Sequence, residues 1–286
     1  WFRFPDGAPR AADPAMKDCL ILGTGRSGTS MLAGCLARAG YHQGEGLHLP
    51  RSANPKGFFE APEINGLNEE LLALALRGTP AAERFRAGQR WLAAAPAWRA
   101  AVPAALASRM AAALRQRPFA FKDPRFCFTL PAWRPLLGAT RFLVVFRDPR
   151  ATVASMLEEC RRAPYLAGLD PSEEELLALW EQAHRRLLLE ARRGEWRFVH
   201  AEQILDGSAL PELERFLEAR LDGGFPERAL LREEPAAPLA GPLGDLYAEL
   251  CARAGHRGGP RPGGPRPRVA GLCRVADRAE AQRAIA

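Results

Sequence analysis

An apolar run, Leu20-Ile21-Leu22, ends in the turn Gly23-Thr24-Gly25-Arg26-Ser27-Gly28 and passes without a spacer into Thr29-Ser30-Met31-Leu32. A strand that breaks on glycines and reopens as a helix aims backbone N–H groups and a helix N-terminus at one point, which makes a cradle for an anion. Gly23 and Gly28 stand at the G-x-x-x-x-G spacing of a P-loop. The residues after Gly28 narrow the class. A nucleotide hydrolase or kinase continues with Lys and then Ser or Thr, the Lys for the β- and γ-phosphates and the hydroxyl for magnesium. Here the pair is Thr29-Ser30, and the cation lies inside the loop as Arg26. That suits a donor with one phosphate joined to a second tetrahedral anion better than a magnesium triphosphate.

A second segment is independent of the first. Arg141-Phe-Leu-Val-Val-Phe146 is a buried-strand run, and Arg147-Asp148-Pro149-Arg150 follows it, with Asp148 as a helix N-cap and Pro149 at the first helical position. Ser155 falls inside that helix. Between the two segments, Phe119-Ala-Phe-Lys122-Asp123-Pro124-Arg125 reads as a short strand entering a turn. Lysine occurs only at positions 17, 56 and 122 in a chain that otherwise uses Arg, as if position 122 required a compact point donor.

Together these segments resemble the sulfotransferase family. Two further stretches are similar to it. One is Asn54-Pro55-Lys56-Gly57-Phe58-Phe59-Glu60, a loop leading to a helix near Pro62. The other is Arg197-Phe-Val-His200-Ala-Glu202, in which Ala201 and Gln203 depart from the usual Tyr and Asp. The resemblance implies a P-loop-type α/β fold, three layers α/β/α around a central parallel sheet. It also implies 3′-phosphoadenosine 5′-phosphosulfate as donor, with no metal. Arg26, Ser27, Gly28, Thr29 and Ser30 would then hold the 5′-phosphosulfate, Arg147 and Ser155 the 3′-phosphate, and Lys122 the oxygen bridging phosphorus and sulfur.

An alcohol acceptor needs a general base. Many cytosolic relatives carry a His two residues after the Lys, where this chain has Pro124, and other branches use a Glu. Glu60 is the candidate base; the alternative for it is a structural carboxylate paired with an Arg or with the helix start at Pro62. Asp123 and His48 are the next candidates. Catalytic work is thus expected of Glu60, Lys122 and Arg26, on a hydroxyl or amine acceptor such as a carbohydrate, lipid or small metabolite.

The 286 residues suffice for one domain with a full core, expected over residues 1–254. From Gly255 onward, Pro, Gly and Arg dominate as a basic linker and tail, 255–286. The net charge of +7 fits an anionic donor and equally an acidic polymer, so it does not choose between them. Two other classes stay open: a P-loop small-molecule kinase, disfavoured by the absent Walker lysine, and a non-catalytic basic binder of anionic polymers. Neither nucleic acid nor a membrane span is expected, since no apolar run approaches about 18 residues. Six cysteines without a C-x-x-C pair suggest free thiols, and the Ala- and Arg-rich composition suggests a bacterial, cytoplasmic protein.

Strands are expected near 18–23, 119–122, 141–146 and 196–200, alternating with helices. Met31, Leu32, Cys35, Leu36 and Ala39 form the buried stripe of the first helix. Helices are also expected over 97–116 and 171–193, the latter started by Ser172 with Glu175. His184 lies on the apolar face of the last helix and reads as a core histidine.

Overall fold

Four short parallel strands form the centre of the molecule: β1 (Cys19–Leu22), β2 (Ala120–Lys122), β3 (Arg141–Phe146) and β4 (Glu195–His200), in the order β2-β1-β3-β4. The computed structural model describes residue 11 and residues 13–49, 56–227 and 239–256. Asn54, Pro55 and the basic segment beyond His256 lie outside them. Ile21 pairs with Lys122 on one side and with Leu143 on the other, so β1 is central and its C-terminal end faces those of β2 and β3.

Alternate side chains of a strand leave the sheet on opposite faces, and the core divides accordingly. Leu20, Leu22, Phe121, Phe142, Val144 and Phe146 pack on one face with residues of α2 (Pro62–Leu76), α4 (Ala104–Ala113), α5 (Phe126–Trp133), α6 (Pro149–Arg162), α7 (Glu173–Glu190) and α10 (Gly241–Arg253); α3 (Pro80–Arg84) is a short turn between α2 and α4. Cys19, Ile21, Leu143, Val145 and Val199 pack on the other with α1 (Thr29–Arg38), α8 (Ala201–Leu205) and α9 (Leu210–Leu217). This is the expected three-layer α/β/α arrangement.

The local start signals operate as chemistry requires. The Asp148 carboxylate accepts from the N–H groups of Arg150 and Ala151, and Pro149 opens α6. Ser172 and Glu175 form the capping box of α7. His184 is fully buried, its Nδ1 donates to the Trp180 carbonyl at 2.7 Å, and burial lowers its pKa to about 4, so it is a neutral core residue. Five cysteines, at 19, 35, 127, 160 and 251, are free and buried, and burial raises the Cys160 thiol to about 11. Cys273 lies outside the described residues.

Three expectations need correction. The helix over 97–116 is shorter, beginning at Ala104, because Pro103 bars Val102 from the helical region and ends as the N-cap itself. Ala39 is buried but serves as the C-cap of α1, with its N–H on the carbonyls of Cys35 and Leu36. Met31 is only half-buried: it packs against the stripe from its edge and also lines a cavity at the C-terminal edge of the sheet.

Candidate active site

The loop after β1 runs toward α1 on one face of the sheet, whereas β3 continues into α6 on the other. The chain thus diverges between β1 and β3, at the switch point where open α/β sheets bind ligands beyond the strand ends. A cavity of about 460 Å³ opens there, lined by Gly25, Arg26, Gly28, Thr29 and Ser30 from the loop and by Arg147 and Ser155 from the β3–α6 segment.

Two glycines are dictated by this geometry. Gly23 has φ +139°, and a Cβ on it would stand 2.2 Å from the Val145 carbonyl oxygen, so only Gly lets the loop lie on β3. Gly28, at φ +90°, is the N-cap of α1, and Ala201 stands so near that an added Cβ would lie 3.0 Å from its methyl carbon. The small residue at position 201, unusual in the resemblance, therefore seats the loop. Arg26 is held in the left-handed region, φ 68°, and its Nε donates to Ser155 Oγ at 3.0 Å. That bond ties the loop to α6 and brings together two residues expected at different phosphates.

Ser27 behaves differently from its neighbours. It is fully buried, its hydroxyl is hydrogen-bonded to Thr24 Oγ1 at 2.7 Å, and it is not among the residues lining the cavity. Its side chain closes the loop, which leaves only its backbone for an anion. Arg147 is buried at the end of β3, with one guanidinium nitrogen donating to the Ala151 carbonyl at 2.6 Å, and its side chain reaches the cavity wall.

The two other candidates meet beside the loop, where Ser30 Oγ and Lys122 Nζ both donate to the Phe58 carbonyl at 3.3 Å. Lys122 Nζ pairs directly with Glu60 Oε1 and also donates to the Phe58 carbonyl at 3.3 Å. An ammonium has three N–H donors, so one is left for a further acceptor in the cavity. Glu60 is held from its second oxygen by Asn65 Nδ2 at 3.2 Å. His48 meets the same Asn65, with Nε2 at 2.8 Å from Oδ1, and its backbone N–H donates to the Glu60 carbonyl. Phe59, between Phe58 and Glu60, has φ 54° and is buried edge-to-face on Phe225, 5.3 Å between centroids. This left-handed residue turns the segment so that Glu60 faces Lys122.

Asp123 is positioned otherwise. It is buried and accepts from Asn65 at 2.7 Å, Asn68 at 3.0 Å, and the backbone and guanidinium of Arg125 at 2.8 and 3.0 Å. Four donors and no place on the cavity wall make it a structural carboxylate. Arg125 continues the network to Glu69, 2.6 Å away, which also binds Arg90. Burial pulls the Arg125 pKa down, but the carboxylates of Asp123 and Glu69 outweigh it and leave it raised.

Several wall residues carried no signal in the sequence. Trp91 sits on Gly25, where a Cβ would lie 2.5 Å from its ring, and Tyr165, Glu159 and the segment Phe225–Glu227 complete the enclosure. Lys56 pins that last segment through the Phe225 carbonyl at 2.6 Å and Glu227 at 3.0 Å. No helix among the described residues is long and apolar enough to cross a membrane.

Among solved structures, the sulfotransferase domain from the curacin biosynthetic pathway is similar at 13% identity, with a TM-score of 0.46 over 86% of this chain and 99% of that one. None of the curated proteins matches the chain. The model of the sulfotransferase family matches residues 19–206, a span that holds the cradle, Lys122, Glu60, Arg147 and Ser155, and the chain belongs to that family.

Proposed function

We propose that the protein transfers a sulfuryl group from 3′-phosphoadenosine 5′-phosphosulfate to a hydroxyl acceptor without a metal. The observation that carries this reading is the meeting of Lys122 and Glu60 in the same cavity as the cradle, next to Ser30, which shares the Phe58 carbonyl with Lys122. In the reaction, the acceptor oxygen forms a bond to sulfur as the bond from sulfur to the bridging oxygen breaks. The acceptor proton passes to Glu60, and adenosine 3′,5′-bisphosphate leaves. Negative charge builds on the bridging oxygen, where the remaining N–H of Lys122 is the available donor. Fixed donors of this kind stabilise the transition state more than the ground state. Arg26 and the amides at the start of α1 neutralise the phosphosulfate, and Arg147 with Ser155 gives the 3′-phosphate its partners.

Adenosine 3′,5′-bisphosphate is expected to raise the melting temperature well above the effect of adenosine 5′-monophosphate, because a ligand bound only by the folded state stabilises it. Arg147→Ala should weaken the bisphosphate about 10- to 100-fold, the scale of a charge-assisted hydrogen bond. Equal shifts with both nucleotides would remove the 3′-phosphate site from the reading.

Transfer is also expected to continue in excess chelator, since Thr29 stands where a magnesium-triphosphate loop has its lysine. Reversible loss of activity on chelation would favour phosphoryl transfer instead.

A further inference from the structure

Glu60, Asp123 and His48, the three candidates for the acceptor proton, meet at one side chain. Asn65 Nδ2 donates to Glu60 Oε2 at 3.2 Å and to Asp123 Oδ2 at 2.7 Å, and Asn65 Oδ1 lies 2.8 Å from His48 Nε2. The orientation of this amide follows from its neighbours. Its two N–H groups meet two carboxylates, whereas a flipped amide would set its oxygen against both and break both bonds. The oxygen therefore faces His48, which donates from Nε2. The side chain is also well seated: Pro62 opens α2, the Asn65 N–H closes on the Ala61 carbonyl at 3.0 Å, and Asn65 is buried in that first turn.

A base works only within hydrogen-bond reach of the proton that it takes, so the plane of the Glu60 carboxylate matters. The terminal torsion of a glutamate is broad and does not fix that plane by itself. Among the described residues two donors reach the carboxylate, Lys122 on Oε1 and Asn65 on Oε2. Lys122 alone would leave the group free to turn about its contact. A second donor on the other oxygen stops that rotation, and a carboxylate has about four acceptor sites, so places remain for an acceptor hydroxyl. Asp123 supplies the anchor, because its own position is fixed by Asn68 and by the backbone and guanidinium of Arg125.

We propose that Asn65 is a positioning residue for the transfer: anchored on Asp123, its amide sets the plane of the Glu60 carboxylate and so aims the free acceptor sites of that group at the acceptor hydroxyl. This rests on the sulfotransferase reading above, with Glu60 as its base. Asn65 exchanges no proton. Asp123, which does not reach the cavity wall, enters the chemistry only through this amide.

The test uses the full chain and needs no identified acceptor, because hydrolysis of 3′-phosphoadenosine 5′-phosphosulfate makes water the acceptor. Asn65→Ala is expected to lower single-turnover hydrolysis about 10- to 100-fold, the scale of one hydrogen bond to a charged group, with affinity for adenosine 3′,5′-bisphosphate nearly unchanged. Asn65→Asp keeps the size of the side chain but loses the donor, and should fall at least as far. In a Glu60→Gln background Asn65→Ala should cost almost nothing more, since the carboxylate to be positioned is already gone. The same fold loss in both backgrounds overturns the proposal, because a merely structural residue acts without regard to Glu60. A second measurement does not depend on turnover. In a crystal structure of Asn65→Ala the Glu60 carboxylate is expected to be rotated, or in two orientations, with its contact to Lys122 kept; an unchanged carboxylate overturns the proposal. Should Asn65→Ala not fold, Asn65→Asp carries both measurements. A parent chain that neither binds the bisphosphate nor hydrolyses the donor counts against the sulfotransferase reading, while the crystal structure of the variant still decides whether Asn65 holds Glu60.

Discussion

Glu60→Gln is expected to lower turnover by about a hundred- to ten-thousand-fold while affinity for adenosine 3′,5′-bisphosphate stays nearly unchanged, the pattern of a lost general base. The substitution suits the geometry. A glutamine oxygen can still accept from Lys122, so the ammonium remains over the cavity; Asn65 loses its acceptor at the second Glu60 oxygen but keeps its bond to Asp123. What disappears is the site that takes the acceptor proton. The Lys122 charge is no longer matched at Glu60, so donor binding should hold or tighten, which separates this outcome from collapse of the wall. Single-turnover rates and a bisphosphate titration on the same variant provide the check. Turnover near the parent value would reduce Glu60 to a partner for Lys122. His48 would then be the next position to test, because it lines the cavity and contacts Asn65, whereas Asp123 does not reach the wall.

The parts legible in the sequence are those that short-range chemistry determines. Apolar runs interrupted by Gly, or by Asp-Pro, located the strands and the helix starts at Thr29, Pro62, Pro149 and Glu173 to within a residue or two. The spacing from Gly23 to Gly28 identified the cradle because only glycine fits against Val145 at position 23. Long-range meetings left no such trace. The bond from Arg26 to Ser155 spans 129 positions and that from Lys122 to Glu60 spans 62, so the sequence offered the residues but not their pairing. Trp91, Tyr165 and Glu159 lie in or beside helices whose pattern reports only burial. Glu159 reads as one more acid among Glu158, Arg161 and Arg162, and its separation from them appears only when α6 is placed against the cavity.

The division of labour between two adjacent residues follows from the sheet. Lys122 is the last residue of β2, and its pairing with Ile21 carries the side chain to the strand end where the loops converge. Asp123 is the first residue beyond the strand and turns the other way, into donors from α2 and from Arg125. One step along the chain therefore separates a group that faces the cavity from one that holds the wall together.

Asp123→Ala is for this reason expected to act on stability before chemistry, with a loss of about 3–5 kcal/mol, the cost of breaking a buried ion pair from one side. The substitution leaves Arg125 with Glu69 alone and strips Asn65 and Asn68 of a shared acceptor. For a domain of this size the fall in melting temperature should be on the order of 10 °C. Asn68→Ala should share much of that loss, since Asn68 also accepts from Thr129 Oγ1 at 2.7 Å and Trp133 Nε1 at 2.9 Å. Residues in one hydrogen-bond network are not additive, so the double variant should lose less than the sum of the singles, with a coupling of about 0.5–3 kcal/mol. Calorimetric melting of the two single variants and the double variant measures it. If Asp123→Ala melted like the parent while turnover collapsed, Asp123 would be a catalytic carboxylate that reaches the cavity by a rearrangement. Additive losses would mean that Asn68 supports the core through α5 without passing through Asp123.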